Sequence, residues 1–314
     1  MMRRDSSLAR QAWMSGSPLS LVPATSRLET NPMRIAVIGA FGQLGSDLVP
    51  LLGERVIPFG HTDIEITDPT SITTAFATAR PTHVINCAAY NLVDRAEDEP
   101  EAAHRVNGLG PSHLANWCAA HEATLLHVST DYVFGADATR RTPLDEAAPT
   151  GPVSVYGASK LAGELAVRSL CPRHFIVRTC GLYGQRAARG KGNFVETMLR
   201  LGRERPELRI VADQRCTPTS TADLAAALVS LIETNAFGTY HATNAGDCSW
   251  FEFASEIFRL ANLAVKVTPS TAAEYAAKAR RPDYSVLDCA KLTDVLGRPL
   301  PPWQEALTRY IAQP

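Results

Sequence analysis

The chain has 314 residues, of which 45% are hydrophobic and 20% charged, and a formal net charge of −1. A chain of this length and apolar content can bury a large core in one or two lobes. The balanced charge, with no basic run, argues against a nucleic-acid binder, and no stretch is apolar for long enough to span a bilayer.

Residues 1–32 stand apart. They carry Arg3, Arg4, Arg10 and Arg27 among many serines, without apolar periodicity. An Arg- and Ser-rich transit peptide is one reading. The favoured readings are a disordered tail or a start codon upstream of Met33, because Met33 directly precedes the first predicted strand.

From Met33 the pattern alternates strand and helix. Ile35 to Ile38 is an apolar run long enough for a buried parallel strand. Glycines follow at 39, 42 and 45, and a helix is expected over 43–52. Such glycines allow a tight turn, a close approach of pyrophosphate to backbone, and close packing of helix on sheet. The helix offers its N-terminal amides and dipole to phosphate. A glycine triplet alone is weak, since loops collect glycine. Between a strand and a helix it reads as a dinucleotide cradle, with Gly39, Phe41, Gly42, Gln43, Leu44 and Gly45 as candidate cofactor residues.

Further strands are expected over 55–59, 83–87, 125–128 and 175–178. Helices are expected over 71–79, over 101–121 with interruptions at Gly108, Gly110 and Pro111, and from Tyr156 to about residue 169. This order predicts an α/β fold, a Rossmann-type doubly wound parallel sheet over 33–183. Beyond Tyr183 the glycine, arginine and proline content rises. Residues 184–314 are expected to form mainly a smaller C-terminal substrate lobe. Segments near 220–245 (a helix over 224–233, a strand over 238–242) are expected to return to the Rossmann domain.

Tyr156-Gly-Ala-Ser-Lys160 places a phenol and an ammonium one helical turn apart on one face. A nearby ammonium favours phenolate and should lower the tyrosine pKa, giving a group that exchanges a proton near neutral pH. Alone, this spacing also fits an ordinary surface pair. Ser129 and Thr130, at the end of an apolar strand where a parallel sheet presents its ligands, fill out the roles of an active site. The seven cysteines are scattered without a C-x-x-C pair, which fits reduced thiols in a cytoplasm. His127 and His241 lie in apolar strands and read as hydrogen-bonded core residues. No His, Asp or Glu cluster has metal-site spacing. The second strand ends Phe59-Gly60-His61-Thr62, with no acid until Asp63. Without a carboxylate on the ribose 2′-OH, His61 can accept a 2′-phosphate. NADPH is the expected cofactor, with NADH left open.

Several ordered segments resemble one family. They are Gly42-Gln-Leu-Gly45, the 63–69 stretch Asp-Ile-Glu-Ile-Thr-Asp-Pro, Asn86-Cys-Ala-Ala-Tyr90 with Asp94, Ser129-Thr-Asp-Tyr-Val-Phe134, Tyr156-Gly-Ala-Ser-Lys160, Arg178-Thr179, Leu182-Tyr-Gly184, Gly192-Asn-Phe-Val195, Asp213-Gln214, Thr217-Pro-Thr219, Ser249-Trp250 and Arg281-Pro282. From Met33 on, the chain resembles the extended short-chain dehydrogenases/reductases and, within them, the dTDP-4-dehydrorhamnose reductase family. The resemblance implies reduction of the C4 keto group of a dTDP-4-keto-6-deoxy sugar by NAD(P)H. Tyr156 would protonate O4, Lys160 would hold the nicotinamide ribose, and Thr130 would hydrogen-bond the sugar oxygen. Asp131 and Tyr132 would line the sugar site. Glu65 and Ile66 fall at adenine, and Ala88, Ala89 and Tyr90 where the cofactor crosses the sheet. Asn193, Gln214 and Arg281 are candidate substrate contacts. Related nucleotide-sugar dehydratases carry Asp-Glu where Asp131-Tyr132 stands, so reduction is favoured over elimination. Some members bind Mg2+, but nothing in this sequence points to a metal site. The chain departs from the family at Gly181, where a tryptophan of the sugar site is usual, and at Cys216, where glycine is common. A reductase or epimerase of another nucleotide sugar, or a non-catalytic NADP-binding regulatory subunit, are the alternatives. Oligomeric state is not legible, and a homodimer stays open.

Overall fold

The computed structural model describes residues 33–186 and 192–312; the predicted extension 1–32 lies outside them. Six strands form one wholly parallel sheet. Their order is Gly238–His241, His174–Thr179, Thr124–Thr130, His83–Asn86, Ile35–Ile38, Val56–Phe59. Both faces are covered, which is why the strands read as apolar runs rather than alternating ones. Ile35 and Val37 face the helices Gln43–Leu52 and Thr221–Ile232. Ala36 and Ile38 face Pro69–Ala79, Gly110–Ala120 and Val155–Leu170. The first strand pairs with the second on one side and the third on the other. The winding therefore reverses between Ile35–Ile38 and His83–Asn86, and a ligand crevice opens beyond their C-terminal ends.

A third apolar cluster joins Tyr183, Val195, Phe253, Ile257, Trp303, Leu307 and Tyr310. Its helices are Phe194–Glu204, Trp250–Leu260 and Trp303–Ile311. Trp250–Leu260 starts with a capping box from Ser249 and Glu252, which satisfies two otherwise free amides.

The structure differs from the sequence reading in two places that matter for the site. The strand expected over 125–128 runs Thr124–Thr130, so Ser129 and Thr130 are fixed in the sheet, in register with Arg178 and Thr179. The helix expected over 101–121 is three pieces: Pro100–His104, a wider π-turn at Arg105–Leu109, and Gly110–Ala120. Pro111 has no N–H to give the carbonyl of Asn107, and the glycines beside it weaken the regular helix. Such π-turns gather at functional sites, and this one carries Asn107.

Candidate active site

At the crevice the glycine loop folds back on the second strand. The amides of Gly39 and Ala40 both donate to the carbonyl of Phe59, at 3.0 and 3.1 Å. Gly45 lies directly beneath; a Cβ there would fall 2.2 Å from the Gly39 oxygen, so only glycine lets the helix begin under the turn. Gly42 caps this helix without any side chain, leaving its first amides free for an anion. From here a cleft of ≈ 790 Å³ runs from Glu65 and Ile66 past Ala88–Tyr90 to Thr130, Tyr156 and Lys160, ending at Thr179–Leu182. The bare glycine turn, the free helix amides and this volume fit a nicotinamide dinucleotide.

Tyr156 and Lys160 lie on the first two turns of Val155–Leu170, whose start is capped by the Ser154 hydroxyl accepting from Gly157 N at 3.2 Å. The Tyr132 ring stands edge-on to Tyr156, centroids 5.6 Å apart. Lys160 is buried; its Nζ donates to the Val128 carbonyl at 2.7 Å and lies 3.5 Å from His127 Nε2. Burial drives the lysine pKa down to about 8, with Glu164 and Cys87 pulling the other way. Burial also pushes the Tyr156 phenol up to about 12, only partly offset by the Thr130 hydroxyl. The expectation that Lys160 would lower the tyrosine is therefore reversed. Spacing puts the two residues on one helix face, but the phenol is shifted by its burial, the Thr130 hydroxyl, Asp131 and Cys180, and not by the lysine.

Beneath them lies a buried ion pair. Glu164, one turn after Lys160, accepts from Arg178 at 2.7 Å and from the Ser129 hydroxyl at 2.6 Å. The Arg178 guanidinium sits 5.0 Å over the Phe134 ring. Helix and sheet are thus bolted together one turn beyond Lys160. Asn107 bolts the opposite side. Its Oδ1 accepts from Tyr90 N at 2.8 Å, and its Nδ2 donates to Tyr90 O at 3.0 Å and to Ser159 Oγ at 2.9 Å.

The cleft brings together Gly39, Gly42, Gln43, Leu44, Gly45, His61, Glu65, Ile66, Ala88, Ala89, Tyr90, Thr130, Tyr156 and Lys160. Six expected residues do not line it. Phe41 is 58% exposed. Asp131 is buried and accepts from the Thr130 hydroxyl at 3.0 Å, while its Oδ2 has no partner. Tyr132 does not line the cleft but touches two residues that do, through its ring against Tyr156 and its amide donating to Thr130 Oγ1 at 3.2 Å. Asn193 caps Phe194–Glu204 and donates to Gln43 Oε1 at 3.2 Å, so it touches the cradle helix rather than the cleft. Gln214 is buried beside the strand Arg215–Cys216. Arg281 is held in two bonds by Asp94, at 3.1 and 2.9 Å. Conversely, Thr179, Cys180, Gly181 and Leu182 line the cleft; the sequence marked Thr179 and Leu182 only as parts of family-like segments and Gly181 only as a departure, and none was proposed as a site residue. The Thr179 hydroxyl is buried without a partner. Among the described residues, no group of three His, Cys, Asp or Glu side chains could hold a metal ion, and no helix is long and apolar enough to cross a membrane.

Residues 33–314 match the family described as RmlD substrate binding domain. The chain belongs to this family. It is 45% identical over 285 residues to a dTDP-4-dehydrorhamnose reductase of Streptomyces griseus, covering 88% of this chain and 92% of that one. It is 40% identical to a dTDP-4-keto-6-deoxy-D-glucose reductase of Streptomyces niveus, covering 88% and 96%. The dTDP-4-dehydrorhamnose reductase of Bacillus anthracis, solved in complex with NADP, superposes with a TM-score of 0.83 at 41% identity, covering 88% and 98%.

Proposed function

We propose that this chain reduces the C4 keto group of a dTDP-4-keto-6-deoxy sugar with NADPH, with dTDP-4-dehydro-L-rhamnose giving dTDP-L-rhamnose as the first substrate to test. The observation that carries this is Thr130, Tyr156 and Lys160 at the mouth of one cleft whose other end is the glycine cradle. The bound nicotinamide supplies the hydride. Gly39, Gly42, Gly45 and the amides opening Gln43–Leu52 hold the pyrophosphate, with His61 near the ribose. Ala88, Ala89 and Tyr90 flank the crossing, and Glu65 and Ile66 the adenine.

Tyr156 stays protonated through neutral pH because burial lifts its pKa to about 12. That suits a donor to an alkoxide, which is more basic than phenolate. The Thr130 hydroxyl, whose one proton goes to Asp131 in the free site, would turn to O4 and act as a second donor where negative charge develops. The Lys160 ammonium orients the nicotinamide ribose beside the phenol. Retention of all three speaks against a purely regulatory subunit. The Streptomyces niveus relative is named for a different keto sugar, and product analysis separates that reading from the rhamnose one. We place the protein in the cytoplasm, where its seven free cysteines remain reduced.

The test is NADPH oxidation by the purified chain with dTDP-4-dehydro-L-rhamnose, followed by product analysis. Tyr156→Phe is expected to lower turnover by about 10²- to 10⁴-fold while leaving NADPH binding intact. Turnover that survives this substitution would remove Tyr156 as the acid.

A further inference from the structure

A chain of buried polar groups runs from the cofactor crossing to the lysine. Ala88 N donates to Asn86 Oδ1 at 3.1 Å. This fixes which way the Asn86 amide points, so its Nδ2 must donate to His127 Nδ1, 3.2 Å away. Asn86 and His127 are sheet partners on adjacent strands, both fully buried. A neutral imidazole that accepts at Nδ1 carries its proton on Nε2. That N–H faces the Lys160 Nζ at 3.5 Å. An ammonium there meets another donor rather than an acceptor, and among the described residues its one acceptor is the Val128 carbonyl at 2.7 Å.

We propose that His127 is a positioning residue for Lys160: its tautomer, locked by Asn86, denies the ammonium an acceptor inside the fold and leaves its remaining N–H groups to the cleft. The same contact disfavours the charged lysine, adding to burial. The other titratable groups around Nζ are Glu164, on its own helix, and Cys87, beyond the third strand; Glu164 is in turn committed to Arg178. Burial and the lysine's charge push His127 well below its usual range, so it stays neutral. The sequence reading of His127 as a hydrogen-bonded core residue holds, but it does not reach the polarity of those bonds.

The consequence for turnover rests on the reductase reading, but the test does not. Nitrogen NMR of the full chain with labelled histidines reads the tautomer directly. The expected result is a neutral His127 protonated at Nε2; protonation at Nδ1 overturns the proposal. Carbon NMR of labelled lysines follows the Lys160 titration in wild type and in His127→Gln. The glutamine oxygen can accept from Nζ, so the titration should move up by about one pH unit or more. An unmoved or lowered titration means that His127 only fills space. A lysine titration that shifts without a matching shift in the pH profile of turnover leaves this inference standing and removes the proposed role of Lys160 in reduction.

Discussion

The wall of the cleft formed by Tyr156 and Lys160 and the wall formed by Cys180, Gly181 and Leu182 are held in different ways. The first lies on a 16-residue helix, capped by Ser154 and tied to the sheet by Glu164 and Arg178. The second is a bend between the strand His174–Thr179 and the two-residue pairing of Leu182–Tyr183 with Thr219–Ser220. Its Gly181 has φ +54°, and a Cβ there would meet Pro218 Cα at 3.3 Å and the Trp250 ring at 3.4 Å. On the function proposed above, proton chemistry would sit on a rigid element, where fractions of an ångström matter, and the substrate would meet an end built from loops that can vary without disturbing it.

The sharpest way to break this contrast is to cut the tie beneath the helix. Glu164→Gln leaves the Arg178 charge buried with no carboxylate, and removing one partner of such a pair costs about 3–5 kcal/mol. Urea unfolding should show that loss, and a variant as stable as wild type would mean the pair does not anchor the helix. Glu164 also supports the charge on Lys160, so in the surviving folded enzyme the lysine should titrate at lower pH.

The pH profile is the next largest effect. Tyr156 remains protonated across the working range, so the titrating group is Lys160, with a pKa near 8. Reduction should be flat below that value. It should fall about tenfold per unit above it as the ammonium is lost. Glu164→Gln should move this limb down and His127→Gln should move it up. A limb that ignores both variants would assign it to another group.

At the other wall, Gly181→Ala presses a Cβ to 3.3 Å from Pro218 Cα and forces a side chain into the left-handed region, the latter at about 1–2 kcal/mol. Because Gly181 lies at the far end from the cradle, the expected change is a higher KM for the sugar nucleotide, with NADPH affinity unaltered. Equal losses in both would show that the bend supports the whole cleft. The tighter Gly181→Trp should be worse, since Trp250 and Pro218 already fill the place its ring would need.

The same contrast explains what could be read from the sequence. The glycine turn, the Tyr156–Lys160 spacing and the Ser129-Thr130 strand end are local patterns, and local geometry suffices to place them. The reversed shift of Tyr156 was out of reach, because spacing reports neighbours and not burial. Arg281 was expected at the substrate, yet it binds Asp94, 187 residues earlier in the chain. Neither residue alone signals that pairing. Asn107 had a partial signal in the Gly-Leu-Gly-Pro that follows it, which announces a broken helix but not what its side chain would clamp. Thr179 stood in a family-like segment, but its unpartnered hydroxyl exists only once the fold surrounds it.

The smallest expected effect lies at the cradle end. Asp63, the nearest acid after the second strand, is turned back to accept from Gly60 N at 2.7 Å. The Glu65 carboxylate is held by the amide and hydroxyl of Thr67, and its pKa is lowered chiefly by that amide, with further help from the positive charges of His61 and Arg105. Both carboxylates are thus spoken for, and the adenosine end presents His61 to the cleft with Arg105 close by. His61→Asp puts a free carboxylate where a 2′-phosphate would be repelled and a ribose hydroxyl accepted. His61 is exposed, so water and salt screen the change to about 1 kcal/mol. The ratio of NADPH to NADH efficiency should therefore drop only several-fold, and less at high salt. A ratio that does not move would place the 2′ position away from His61. A ratio that moves in Gly181→Ala as well would mean that the two ends of the cleft are not independent.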